Sequence, residues 1–111
     1  MLVNLTPHDI VMCRIHDGEP VLTIPTSGNA RCAVSREDAG TIGAFPVFRN
    51  TYGGVEGLPD PNPGDIYIVS YSVLLALAGS RLDVVAPDTT PQGVVRDEKG
   101  NIVGVKGFQI V

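Results

Sequence analysis

Tryptophan is missing from this 111-residue chain, and aromatic residues make up only 5% of it. Positive charge is also scarce: eight Lys and Arg stand against twelve Asp and Glu, for a formal charge of -4. The basic residues are scattered, with no run of three. Affinity for nucleic acid comes largely from basic side chains on phosphates, so a general nucleic-acid binder is excluded. Cys13 and Cys32 are the only cysteines, and neither belongs to a CxxC pair. A disulfide framework is therefore not expected, and both read as small buried hydrophobes beside Met12 and Ala33. His8 and His16 lie eight apart, with no carboxylate cluster at a ligand spacing, which argues against a metal site. A GxSxG elbow and a glycine-rich phosphate loop are both absent, and no cofactor is implied. The longest apolar run, Val73 to Ala78, falls far short of the ~20 residues needed to span a membrane. The N-terminus shows no basic stretch followed by an apolar one, so the expectation is a cytoplasmic protein without a membrane segment.

What is present is punctuation for strands. The length suits one domain, residues 1–111. Asp9 to Ile15 and Pro20 to Ile24 read as strands joined by a tight Asp17-Gly18 turn. Ala30 to Val34 reads as a short third strand. Ser35-Arg36-Glu37-Asp38 resembles a helix start, with Gly40 and Gly43 stopping it within a turn. Phe45 to Arg49 reads as another strand, with Pro46 favouring an edge. Thr51 to Asp65, rich in proline and glycine, reads as an ordered excursion held by Val55 and Leu58, or else as a mobile surface loop.

The clearest unit follows. Ile66 to Val69 is a continuous apolar strand. Tyr71, Leu74, Leu75 and Ala78 recur at helical spacing, with Ser70 or Ser72 as the cap and Gly79 as the stop. Leu82 to Ala86 is a second buried strand. A strand–helix–strand crossover with two parallel strands results. Gly93 to Arg96 and Asn101 to Val105 form a hairpin closed by Asp97 to Gly100, and Phe108 to Val111 extends the sheet. The expected fold is α+β, a small mixed and mostly antiparallel sheet with that crossover and one or two short helices.

Asn4-Leu5-Thr6-Pro7-His8, Gly57-Leu58-Pro59 before Ile66-Tyr67-Ile68-Val69-Ser70, and Pro87-Asp88-Thr89 before Val95-Arg96-Asp97-Glu98-Lys99-Gly100 together resemble a family of small bacterial and phage-encoded proteins. The resemblance spans nearly the whole chain. It implies a protein that modifies host processes or counters host defence, and it brings no catalytic residue.

Chemistry is expected where the two parallel strands end. Ser70 and Ser72 follow the first strand, and Asp88, Thr89 and Thr90 follow the second. A helix starting near Ser70 presents free N–H groups there, and Arg49 or Arg96 can supply a charged fork. These groups suit an anionic small molecule such as a nucleotide. They equally suit caps and turns, with Ser70 capping its helix and Asp88 and Thr89 satisfying backbone groups. Asn4, Thr6 and His8 share a face in an extended segment. His8 is then either a base or phosphate ligand, or part of a hydrogen-bonded stitch holding the N-terminus down. Three readings stay open: a non-catalytic ligand binder, a module that contacts a host or phage protein, and a small hydrolase using His8 or Asp88. Apolar residues on both faces of strands suit a homodimer in each case.

Overall fold

The run Ile66 to Val69 lies at the centre of the molecule because both of its faces are covered. The computed structural model describes residues 1–111. In chain order its elements are β1 (Leu2–Asn4), β2 (Ile10–Cys13), β3 (Pro20–Ile24), β4 (Arg31–Ile42), β5 (Phe45–Glu56), β6 (Ile66–Ile68), α1 (Tyr71–Leu77), β7 (Val84–Pro87), β8 (Val94–Arg96), β9 (Ile102–Val105) and β10 (Phe108–Gln109). One sheet has the order β1-β6-β7-β10, a second β3-β2-β9-β8, and β4 pairs only with β5. β1, β6 and β7 are mutually parallel, as are β2 and β9, while the other four pairings are antiparallel. This is the expected small α+β fold, with a mostly antiparallel mixed pattern, one crossover and one short helix.

Side-chain alternation along β6 separates two apolar clusters. Tyr67 and Val69 join Leu5, Ala30, Val73, Leu74, Val84 and Ala86 on the helix side. Ile68 points the other way, to Ile10, Ile24 and Val105 of the second sheet. β7 repeats the pattern, with Val84 and Ala86 on the helix side and Val85 against the second sheet. The first sheet is thus the middle layer, which is why its strands read as unbroken apolar runs. Gly104 allows β9 to lie against β2: a Cβ there would sit 2.6 Å from the Cys13 sulfur and 2.9 Å from the Val11 carbonyl. Cys13 is buried, Cys32 is half-buried and both are free thiols.

The two sheets are joined at Asn4, which is 1% exposed. Its amide donates to the carbonyls of His8 and Ile24, both at 2.9 Å. Its oxygen accepts from the Thr6 N–H at 2.9 Å and the Thr6 hydroxyl at 2.7 Å. The Thr6 hydroxyl shares its one proton between the Asn4 oxygen and the His8 carbonyl, and the Asn4 carbonyl accepts from the Ser27 N–H. Asp9 accepts from the Thr26 N–H.

Several boundaries differ from the sequence reading. β1 was not expected: Asn4 ends a strand parallel to β6, and Thr6 to His8 form a bend instead of continuing an extended face. The Asp17-Gly18 turn is a wider loop, closed by Arg14 N–H to the Glu19 carbonyl. The largest change is at Ser35 to Asp38, which form no helical turn. They lie in the middle of β4, paired with Thr51, Asn50, Arg49 and Phe48 of β5. A cap-like residue order has little force where a partner strand supplies the backbone hydrogen bonds. Thr51 to Glu56 are accordingly strand, so the proline-rich excursion is shorter than expected. Leu82 is 98% exposed and lies outside β7.

Asp83 bonds Arg81 twice at 2.8 Å, and that guanidinium holds its carboxyl below the usual range against the opposing effect of burial. Asp97 is lowered by N–H bonds from Asn101 and Lys99 in the β8–β9 turn, and Asp17 by Arg14. Depressed folded-state values give stability that is complete above the unfolded carboxylate pKa and lost as pH falls through the folded one. Equilibrium unfolding followed from about pH 5 downward should show stability falling, with a shallower fall in Asp83→Asn. Asn4→Ala removes the side-chain donor from the buried Ile24 carbonyl and both acceptor bonds from Thr6. It should cost about 3 kcal/mol or more in urea unfolding.

Candidate functional site

β1, β6 and β7 run parallel, so their carboxyl ends emerge on one edge of the first sheet. Beyond that edge lies an open groove of about 510 Å³. Thr6 to Val11, from the bend after β1 and the start of β2, and Ile102 to Val105 of the adjoining strand β9 form its walls, and Ser70, Tyr71, Pro87 and Thr89 lie at its base. The rule that ligands sit outside the carboxyl ends of parallel strands thus has a physical counterpart here.

Of the residues singled out from the sequence, His8, Ser70 and Thr89 meet in this groove, with Thr6 beside them. Ser70 occupies the N-cap position of α1, yet its side chain makes no capping hydrogen bond. Its hydroxyl instead lies 3.3 Å from that of Ser72. This places Ser72 behind Ser70, and it leaves the Ser70 hydroxyl free of the duty the sequence allowed it. Asp88 has a structural task. Its carboxylate accepts from the N–H and the hydroxyl of Thr90, at 3.1 and 2.7 Å, while its own N–H donates to Gly107. Gly93 permits that turn, since a Cβ there would collide with the Asp88 side chain and carbonyl. Asp88 and Thr90 satisfy each other, and Thr89 is the member of the turn that faces the groove.

The expected charged fork lies elsewhere. Arg49 sits on β5 and pairs with Glu37 at 3.4 Å. Arg96 donates to the Gly100 carbonyl at 2.7 Å and closes its own hairpin. The charged side chain lining the groove is Asp9, already bonded to the Thr26 N–H. The N-terminal stitch belongs to Asn4 and Thr6. His8 contributes its carbonyl to that stitch, and its exposed side chain is at the groove wall.

Ile10, Val11, Tyr71, Ile102 and Val103 are lining residues the sequence reading did not single out. One signal pointed towards them. Gly104, an isolated glycine in an apolar strand, marks close backbone approach, and that approach brings β9 beside β2. The resulting surface is apolar along both walls with hydroxyls and an imidazole at discrete points. It can hold the face of a ring or an aliphatic body and hydrogen-bond its edge.

No protein-family model matches the chain, and neither a curated protein nor a solved structure matches it. Because the Ser70 hydroxyl is not a cap, Ser70→Ala should change unfolding free energy by less than about 0.5 kcal/mol. Loss of a working cap would instead cost about 1 kcal/mol in the same denaturation experiment.

Proposed function

We propose that this protein binds a small molecule of low charge, without turning it over, in the groove beyond the carboxyl ends of β6 and β7. The observation that supports this reading is the groove itself: about 510 Å³ at the shared carboxyl-end edge, with apolar walls and polar groups at its base. That volume lies within the ~300–1,000 Å³ of ordinary ligand sites. Val11, Val103 and Tyr71 offer contact to a flat or aliphatic body, while Ser70, Thr89 and His8 offer hydrogen bonds. Arg49 and Arg96 are engaged elsewhere, and Asp9 would repel a phosphate held nearby. A nucleoside-like heterocycle therefore suits the lining better than a polyphosphate, whose charged tail would have to project into solvent.

Binding is favoured over hydrolysis by the partner of Ser70. Its hydroxyl meets another hydroxyl and not an imidazole, so it is not set up as a nucleophile. In the host-modifying setting that the family resemblance implies, such a protein would withhold a small host molecule. The reading as a protein-contact module rests on a different part of the molecule, the proline-rich excursion Leu58 to Gly64 and the exposed hairpin tips.

Thermal melting with a panel of nucleosides, nucleotides and cyclic nucleotides tests the proposal. At a concentration 100-fold above Kd, a matching ligand adds about 2.7 kcal/mol and raises Tm by on the order of 10 °C. A nucleoside should stabilise at least as well as its triphosphate. Val103→Trp, which fills the groove from an already exposed position, should remove the shift while leaving the unliganded Tm within a few degrees. Stabilisation by polyphosphates alone, or an undiminished shift in Val103→Trp, would overturn the reading.

A further inference from the structure

The β4–β5 hairpin is too long for the body that carries it. Both strands have twelve residues, and neither pairs with either four-stranded sheet. Only its base is anchored, through Cys32 and Val55 against the helix-side cluster. The radius of gyration is 16.1 Å, against ~13 Å for a compact chain of this length. An isolated two-stranded ribbon is marginal in water, and its open edges invite pairing.

The ribbon is also two-faced. Val34 is registered opposite Tyr52, Arg36 opposite Asn50 and Asp38 opposite Phe48, so these residues alternate onto one face. Val34, Phe48 and Tyr52 are 56%, 39% and 38% exposed there. The Arg36 guanidinium covers the Phe48 ring at 3.6 Å. The opposite face carries the pairs Ser35–Thr51 and Glu37–Arg49.

We propose that the apolar face of this arm is a self-association surface, and that its occupant is a second copy of this chain. Surface area is the first argument. The chain exposes 7339 Å², roughly 1,500 Å² more than the ~5,900 Å² expected for a monomer of its mass. Covering that excess on two copies buries ~3,000 Å² in total, within the range of obligate homodimers. Charge is the second. The arm holds Arg31, Arg36 and Arg49 against Glu37, Asp38 and Glu56, so it is neutral, and the whole deficit of -4 falls on the rest of the chain. Two arms can meet without the repulsion that keeps two acidic bodies apart. Arg36 and Asp38 share the apolar face, so a two-fold axis across it can set one copy's arginine against the other's aspartate.

Sedimentation velocity and light scattering on the full chain read the outcome. The wild type at about 10 µM should have twice the 11.7 kDa chain mass. Val34→Lys with Phe48→Glu, on the apolar face, should weaken association at least 100-fold. Thr51→Glu, on the opposite face, should leave it intact. Amide exchange in β4 and β5 should slow as wild-type concentration rises, a readout that needs no variant. A monomeric wild type, or a doubly substituted chain that dimerises as tightly as the wild type, would overturn the proposal. So would an arm that becomes protected only on addition of nucleic acid or a different protein.

Discussion

Four hydrogen bonds to one amide side chain tie the end of the first sheet to the bend at Thr6 and His8 and to β3 of the second sheet. Asn4 stands at the last position of β1, where the chain leaves the first sheet for the second, and it uses every donor and acceptor its side chain has. In a buried setting this is an all-or-nothing arrangement: fully satisfied, it fixes a single geometry, and partly satisfied, it is a liability. The geometry it fixes is the bend from Thr6 to His8. That bend is one end of the groove wall, so a residue that touches no ligand sets the position of residues that can.

The groove is a by-product of layering. Ile68 and Val85 draw the second sheet onto the first, and α1 covers the opposite side. Gly104 seats β9 against β2, and the second sheet leaves the carboxyl edge of β6 and β7 open. What remains is a furrow whose sides are the backs of strands. Its apolar character follows from that origin, and its polar groups come from the turns that end β6 and β7. Specificity therefore falls to a few loop residues on a rigid frame.

The core was legible because its residues obey one rule at a time. Ile66 to Val69 is apolar at every position since both faces are covered, and Tyr71 to Leu77 has helical spacing since one face is. The arm was not legible because its sequence answers to no core. Val34-Ser35-Arg36-Glu37-Asp38 carries helix-start residues, and the strand pattern resides in its register with β5, fifteen or so residues further on. For the site, the sequence located the strand ends and so found Ser70 and Thr89. It could not show that Arg49 and Arg96 are spent on local partners, because nothing in spacing reveals which neighbour a long side chain reaches. Nor could it separate the two duties of the Asp88 turn. The folded turn decides that question: Asp88 bonds Thr90, and Gly93 leaves the room that this needs.

The pairing of β1 with β6 sets a timetable. Leu2 lies beside Ile66, so the first strand made has no partner until more than half of the chain exists. The arm is the opposite case, since β4 and β5 are joined by a two-residue connection and can zip locally. Long-range parallel pairing is slow because loop closure must precede its reward. The nascent protein thus acquires its least protected element early and its central sheet late. An amphipathic ribbon emerges while the acidic body that will carry it is still a chain.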